Sequence, residues 1–223
     1  MALDLEYGRR IYDRWGRHPR VYWAGDWPIF LGRRREIRKR AVDALALQCG
    51  DAVLEVACGP GVNFELIEKR IGPSGRVTAV DHSEEMLASA RACAGAEGWH
   101  NIEFVHADAA HVELPADSFD AALCVLGLSV MPDHRGAMAQ VRNALKAGGR
   151  FVVLDARLPR GPARVFNPAL KLLIKYVSNA DADRDLLRDL GEAMDEVSVD
   201  EFNAGTLFIA TAYKTAGQPT VQA

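Results

Sequence analysis

From residue 51 onward, short apolar runs alternate with longer amphipathic stretches. Val53–Ala57, Arg76–Val80, Ile102–His106, Phe119–Val125 and Arg150–Asp155 read as strands, several of them buried on both faces. Between them, residues 62–71, 83–95 and 134–146 repeat apolar positions at helical spacing. Gly72-Pro73-Ser74-Gly75 stops the first of these helices and Gly148-Gly149 the third. Ser83 stands where an N-cap is needed, with Glu84 and Glu85 in a first turn whose dipole favours acids. Upstream, Ile37, Ala41 and Leu45 mark a helix over residues 33–47. Downstream come an apolar helix over 163–177, containing Lys171 and Lys175, and a helix over 184–194. Strands Glu196–Phe202 and Thr206–Tyr213 follow, joined by Asn203-Ala204-Gly205. A β-α repeat of this kind predicts an α/β fold with a doubly wound, mainly parallel sheet.

Composition narrows the class. The chain has 223 residues, 49% of them hydrophobic, which is enough for one packed domain. Its net charge of -3 excludes a polycation built for nucleic acid. That average hides a basic start, with eleven Arg/Lys against five Asp/Glu in residues 1–40. The run from Arg33 to Arg40 is either a solvated helix face or a surface for an anionic substrate or lipid headgroup. Four scattered cysteines without a CxxC pair argue against a metal site and fit a reducing cytoplasm. No signal-peptide pattern opens the chain, and the longest apolar stretch, 121–131, is too short to span a bilayer. The expected organisation is an aromatic-rich lid segment at 1–32, one domain at 33–213 and a frayed tail at 214–223.

In open parallel sheets ligands bind beyond the carboxyl ends of the strands. The first strand exits through Glu55-Val56-Ala57-Cys58-Gly59-Pro60-Gly61, where Gly59 and Gly61 let a ligand approach the backbone. Asp81 ends the second strand twenty residues after Gly61, the offset of a ribose-binding carboxylate. Asp108 follows the third strand, placed either to accept from an adenine amino group or to cap the next turn. The third glycine of a dinucleotide turn is replaced by Phe64, and no Walker pattern exists. Glu55 beside the turn disfavours a pyrophosphate and favours an ammonium or sulfonium. An adenosine with a positive charge and no phosphate describes S-adenosylmethionine.

Val53-Leu54-Glu55-Val56-Ala57-Cys58-Gly59-Pro60-Gly61 resembles motif I of class I methyltransferases. Val77-Thr78-Ala79-Val80-Asp81, His106-Ala107-Asp108-Ala109, Leu114 to Asp120 and Leu145 to Arg150 are similar to the motifs that follow, in order and spacing over residues 35–213. Ala57 departs from the family's usual glycine. The resemblance implies a Rossmann-like, seven-stranded sheet ordered 3-2-1-4-5-7-6 with the last strand antiparallel. It further implies that Glu55, Ala57, Gly59 and Gly61 hold the methionine end and that Asp81 holds ribose. His82 and Met86 then flank the adenine, Asp108 and Ala109 meet it, and Val125 and Leu126 line the cofactor. Tyr12-Asp13-Arg14-Trp15 and the segment Phe202 to Ala210 look like the quinone and phospholipid methyltransferase branch.

That resemblance implies a small or lipid-like acceptor: a phospholipid amine, or a quinone or isoprenoid carbon. A natural-product hydroxyl and a non-catalytic cofactor-binding regulator are the alternatives. No general base declares itself; His134 and His18 are the nearest candidates. Tyr12, Tyr22, Trp23 and Trp27 are candidates for contact with sulfonium or substrate. The apolar helix at 163–177 is either a core helix or an entry for a hydrophobic tail with shallow, peripheral membrane contact.

Overall fold

The computed structural model describes Leu3, residues 5–17 and residues 27–215. Its strands are β1 (Ala52–Val56), β2 (Arg76–Asp81), β3 (Ile102–His106), β4 (Phe119–Val125), β5 (Leu145–Ala156), β6 (Glu196–Phe202) and β7 (Leu207–Tyr213). They form one sheet in the order β3-β2-β1-β4-β5-β7-β6, with β7 antiparallel to both neighbours. The helices are α1 (Leu5–Gly16), α2 (Trp27–Phe30), α3 (Arg34–Ala44), α4 (Phe64–Ile71), α5 (Glu84–Glu97), α6 (His134–Ala144), α7 (Asn167–Ser178) and α8 (Leu186–Ala193). This is the doubly wound architecture that the alternating pattern predicts.

Every residue of β1 is buried, because helices cover both faces of the sheet at its centre. One apolar layer joins Ile37 of α3, Phe64 and Ile67 of α4 and Leu87 of α5 to inward residues of β1, β4 and β5. The other joins Met138 and Val141 of α6 and Leu190 of α8 to the opposite face. At the lower end, Asp120 accepts the Ala52 N–H at 2.9 Å and the Lys146 ammonium at 2.6 Å, which fixes β1, β4 and the start of β5 together. Ser83 caps α5, its hydroxyl accepting the Met86 N–H at 3.2 Å.

Four expectations are corrected or decided. The sequence pattern carries the third helix to residue 146 and starts the fifth strand at 150, whereas α6 ends at Ala144 and β5 begins at Leu145. Pairing with β4 jumps from Phe119↔Leu145 to Ala121↔Arg150, so the two glycines form an irregularity inside the strand rather than a helix stop. Gly148, at φ +80°, donates to the Lys214 carbonyl at 2.6 Å. Lys214 and Thr215 are therefore not frayed: Lys214 returns a bond to Gly149, and the Thr215 N–H reaches Asp195 at 2.8 Å. Of the two readings of the basic run, the solvated helix face fits the structure, with exposed side chains in local ion pairs. Glu36 serves Arg33 and Arg40, Asp43 serves Lys39, and Arg38 is buried on Asn63. The segment after β5 is a 3-10 turn over Gly161–Phe166 followed by α7, and neither element buries a residue, so it is not a core helix.

Leu123 sits fully buried at the middle of β4, between β1 and β5. Leu123→Ala is expected to lower unfolding free energy by about 2–5 kcal/mol in urea titration, because the sheet cannot collapse into the void. A loss under about 0.5 kcal/mol would show that this layer is not close-packed.

Candidate functional site

The carboxyl ends of β1, β2, β3 and β4 surround one cavity, about 740 Å³ counted out to its solvent-open mouth. Ten of the residues singled out from the sequence line it: Tyr12, Ala57, Gly59, Asp81, His82, Met86, Asp108, Ala109, Val125 and Leu126. Tyr12 and Gly8 of α1 contribute to its wall, as do Gly127, Val130, Met131 and Pro132 from the segment after β4. Gly127 has a steric reason: a Cβ there would come within 2.7 Å of Cys124 Sγ and 2.8 Å of Ala57 Cβ. The sequence reading stopped at Leu126, although the following residues continue along the same strand exit. Gly8 gave no signal in the sequence.

Asp81 is the most constrained polar group in the wall. Its Oδ2 accepts the Gly59 N–H at 2.8 Å and its Oδ1 the Ser83 N–H at 2.9 Å. The helix cap is Ser83, so Asp81 is left to link the exits of β1 and β2. Each carboxylate oxygen retains a lone pair for a further donor. Burial pushes this carboxyl upward, opposed by neighbouring His82 and by the backbone N–H groups of Ser83, Gly59 and His82. His82 Nδ1 lies 3.6 Å from Asp81 Oδ1, and the Tyr12 ring meets the His82 ring edge-on at 5.8 Å. Asp108 lines the cavity while its Oδ1 accepts the Ala110 N–H at 3.0 Å, so it also caps its own turn.

Two non-glycine residues in the wall are left-handed, Ala57 at φ +54° and Leu126 at φ +56°. Each conformation costs on the order of 1–2 kcal/mol. They stand at the exits of adjacent strands, where the chain must turn sharply to leave the cavity open. The segment beyond Leu126 is held from below. Asp155 of β5 accepts the Ser129 N–H at 3.1 Å, and Arg184 reaches the carbonyls of Leu128, Met131 and Pro132. Burial pushes Asp155 up to about 6. Neither Asp155 nor Arg184 was singled out from the sequence, since nothing local marks a strand-end acid or a loop arginine as a clamp.

Glu55 and Gly61 do not line the cavity. Glu55 is buried beneath the β1 exit, where Oε1 accepts the Asn63 amide at 2.7 Å and Oε2 has no hydrogen-bond partner. Burial pushes its carboxyl up to about 7, against the Asn63 bond and the Arg38 charge. Glu55 thus lies beneath the wall rather than in it, and the carboxylates in the wall are those of Asp81 and Asp108. Gly61, at φ +80°, is needed for packing: a Cβ would meet the Phe64 ring at 2.5 Å.

The remaining expectations separate. His134 does not line the cavity; its Nε2 lies 2.5 Å from Asp189 Oδ2 at the α6–α8 contact. Trp27 opens α2. His18, Tyr22 and Trp23 fall outside the described residues. Among the described residues no cluster of three or more His, Cys, Asp or Glu could hold a metal.

Among the described residues the wall holds two carboxylates, the small side of Ala57, Gly59 and Gly127, apolar Val80, Met86, Val125 and Leu126, and no Arg or Lys. Such a surface suits a flat, hydroxyl-bearing ligand with a positive charge and gives a phosphate no counter-charge.

Residues 53–149 match the family model of a methyltransferase domain. The demethylmenaquinone methyltransferase of Listeria welshimeri is 33% identical over 132 residues, covering 58% of this chain and 56% of that protein. The chain thus spans just over half the length of the curated relative it matches. Among solved structures, a SAM-dependent methyltransferase from Aquifex aeolicus superposes with TM-score 0.64 at 19% identity, covering 80% of this chain and 89% of that one. Geranyl diphosphate C-methyltransferase from Streptomyces coelicolor A3(2) superposes with TM-score 0.67 at 13% identity, covering 82% and 79%. These two superpositions establish the fold.

The burial of Glu55 has a pH signature. Its folded value near 7 lies above the ordinary 4.5, so below pH 4.5 both states are protonated and its stabilising contribution is intact. As pH rises toward 7 the unfolded chain ionises first, and stability falls by roughly 3 kcal/mol from this group. Denaturant titrations between pH 4.5 and 7.5 are expected to show a shallower decline for Glu55→Gln than for the unmodified protein. Parallel curves would place the Glu55 ionisation elsewhere.

Proposed function

We propose that this chain, whose residues 53–149 match the family model of a methyltransferase domain, is an S-adenosylmethionine-dependent methyltransferase acting on an apolar, quinone-like or isoprenoid acceptor. One observation carries the choice of cofactor. Among the described residues the cavity at the strand ends presents two carboxylates and no Arg or Lys, which favours a sulfonium-bearing adenosine over a dinucleotide. The relation to a demethylmenaquinone methyltransferase supports the quinone side of the acceptor reading.

When bound, the cofactor supplies an electrophilic methyl group on a positively charged sulfur. The chain's own contribution is placement. Asp81, already fixed by two backbone N–H groups, accepts from vicinal ribose hydroxyls without having to be ordered first. Met86, Ala109 and Val80 give a flat base apolar walls, and Asp108 offers an acceptor at its edge. Ala57, Gly59 and Gly127 leave backbone-level space for the methionine end. Holding donor and acceptor in line is worth up to roughly 7–11 kcal/mol of barrier, the main term such a transfer needs. Tyr12, His82, Asp81 and Asp108 are the titratable groups of the wall among the described residues. Tyr12 presents a ring face or edge toward a cation or an apolar acceptor.

Isothermal titration is expected to show S-adenosylhomocysteine binding, weakened at least about tenfold by Asp81→Ala, with the melting temperature reported alongside. Unchanged affinity would remove Asp81 from the ribose site. With labelled methyl donor, a demethylated quinone bearing a short isoprenoid tail is expected to be methylated, detected by mass spectrometry. Cofactor binding without turnover on quinones or isoprenoids would favour the regulator reading.

A further inference from the structure

The segment between β5 and the loop before α8 is built inside out. In the 3-10 turn and α7, Val165, Phe166, Leu172, Leu173, Tyr176 and Val177 are between 44 and 76% exposed. Within α7, positions 172, 173 and 176 stand at i, i+1 and i+4 and form one stripe, and Val165 and Phe166 are exposed in the turn that precedes it. Leu170 and Ile174, on the other side, are only half-buried. A soluble helix normally turns its apolar stripe inward; this one turns it out, and contiguous exposed apolar surface of this kind marks an interaction face.

Charge selects the partner. Residues 157–180 contain five Arg/Lys (Arg157, Arg160, Arg164, Lys171 and Lys175) and no Asp or Glu. Arg157 and Arg160 are drawn to Glu201 and Lys171 to Asp183. Arg164 and Lys175 have no carboxylate within ion-pairing distance among the described residues. An apolar stripe flanked by cations, on a helix too short to span, is the pattern of a helix lying in a bilayer interface: the apolar side chains enter the acyl boundary while the amines stay among anionic headgroups. In the basic run at residues 33–40, by contrast, Arg33, Arg35, Lys39 and Arg40 each have a carboxylate partner in Glu36, Asp43 or Glu65.

The face also lies beside the cavity. Tyr7 and Tyr12 of α1 donate through their hydroxyls to the Tyr176 and Ser178 carbonyls at the end of α7, both at 3.2 Å. Tyr12 lines the cavity. Past α7, the Asp181 N–H bonds the Ser129 carbonyl at 2.9 Å, next to Val130 of the cavity wall.

We infer that the Gly161–Ser178 segment is a docking surface for an anionic lipid bilayer, set beside the cofactor cavity. This surface stands on exposure and charge and does not require the proposed activity to be correct. The full chain is mixed with vesicles of phosphatidylcholine alone and of phosphatidylcholine with phosphatidylglycerol, then floated on a density gradient. Retention is expected on the anionic vesicles, weakening as salt is raised. The double substitution Leu172→Asp with Leu173→Asp is expected to reduce partitioning at least about tenfold while leaving S-adenosylhomocysteine affinity unchanged. Arg164→Glu with Lys175→Glu, which leaves the apolar stripe intact, is expected to abolish the preference for anionic lipid. Absence of retention at low salt, or retention unaffected by both pairs of substitutions, overturns the inference. So does a dimer in light scattering that ignores vesicles and dissociates on the Leu172/Leu173 substitution, since a second copy would then cover the face. Vesicle binding by a chain that fails to bind S-adenosylhomocysteine overturns the proposed activity and leaves the docking surface standing.

Discussion

The site rests on one buried carboxylate held by two strand exits. Asp81 takes the Gly59 N–H from the turn after β1 and the Ser83 N–H from the start of α5. A parallel sheet leaves its strand ends diverging, and nothing in the ladder itself fixes the loops beyond them. The bond across that gap does. It holds the glycine turn at a set distance from β2 and fixes the carboxylate in place before any ligand arrives. Charge-assisted bonds of this kind are stronger than neutral ones, and in a buried setting they cost much to leave unmade.

A second restraint acts from the other side of the cavity. The segment after β4 would be a free loop without Asp155 beneath Ser129 and without Arg184 on three of its carbonyls. The left-handed conformation of Leu126 is sustained by the same framework, its N–H bonded to the Leu154 carbonyl at 2.7 Å. The cavity is thus open because backbone strain on one rim and hydrogen bonds under the other prevent the loops from collapsing inward.

Most of the architecture was legible because its signals are local. Buried parallel strands are apolar throughout, and Ser83 and the glycines mark helix ends. Where the reading failed, long-range contacts decided. Gly148-Gly149 has the composition of a helix stop, but the bonds to Lys214 draw it into β5, and that partner lies over sixty residues away. Glu55 has the motif position of a ligand-facing acid, yet the side chain turns under the strand toward Asn63, a direction that periodicity does not encode. Of the cavity residues found in advance, all but Tyr12 of α1 and Met86 of α5 lie at or just past strand ends, where topology alone locates a crevice. Gly8, Asp155 and Arg184 depend on how distant elements pack, so no window of sequence contains them.

The position of α1 makes one wall of the cavity unevenly fastened. Gly8 and Tyr12 are part of the cavity wall, and α1 is laid against α5 so closely that a Cβ on Gly16 would strike the Glu85–Met86 backbone at 2.7 Å. Its fastening to α7 is lighter: two phenol hydroxyls on carbonyl oxygens, each worth about 0.5–1.5 kcal/mol. The wall that α1 adds to the cavity is therefore seated on one neighbour by close backbone packing and tied to the other through hydroxyl contacts at its far edge.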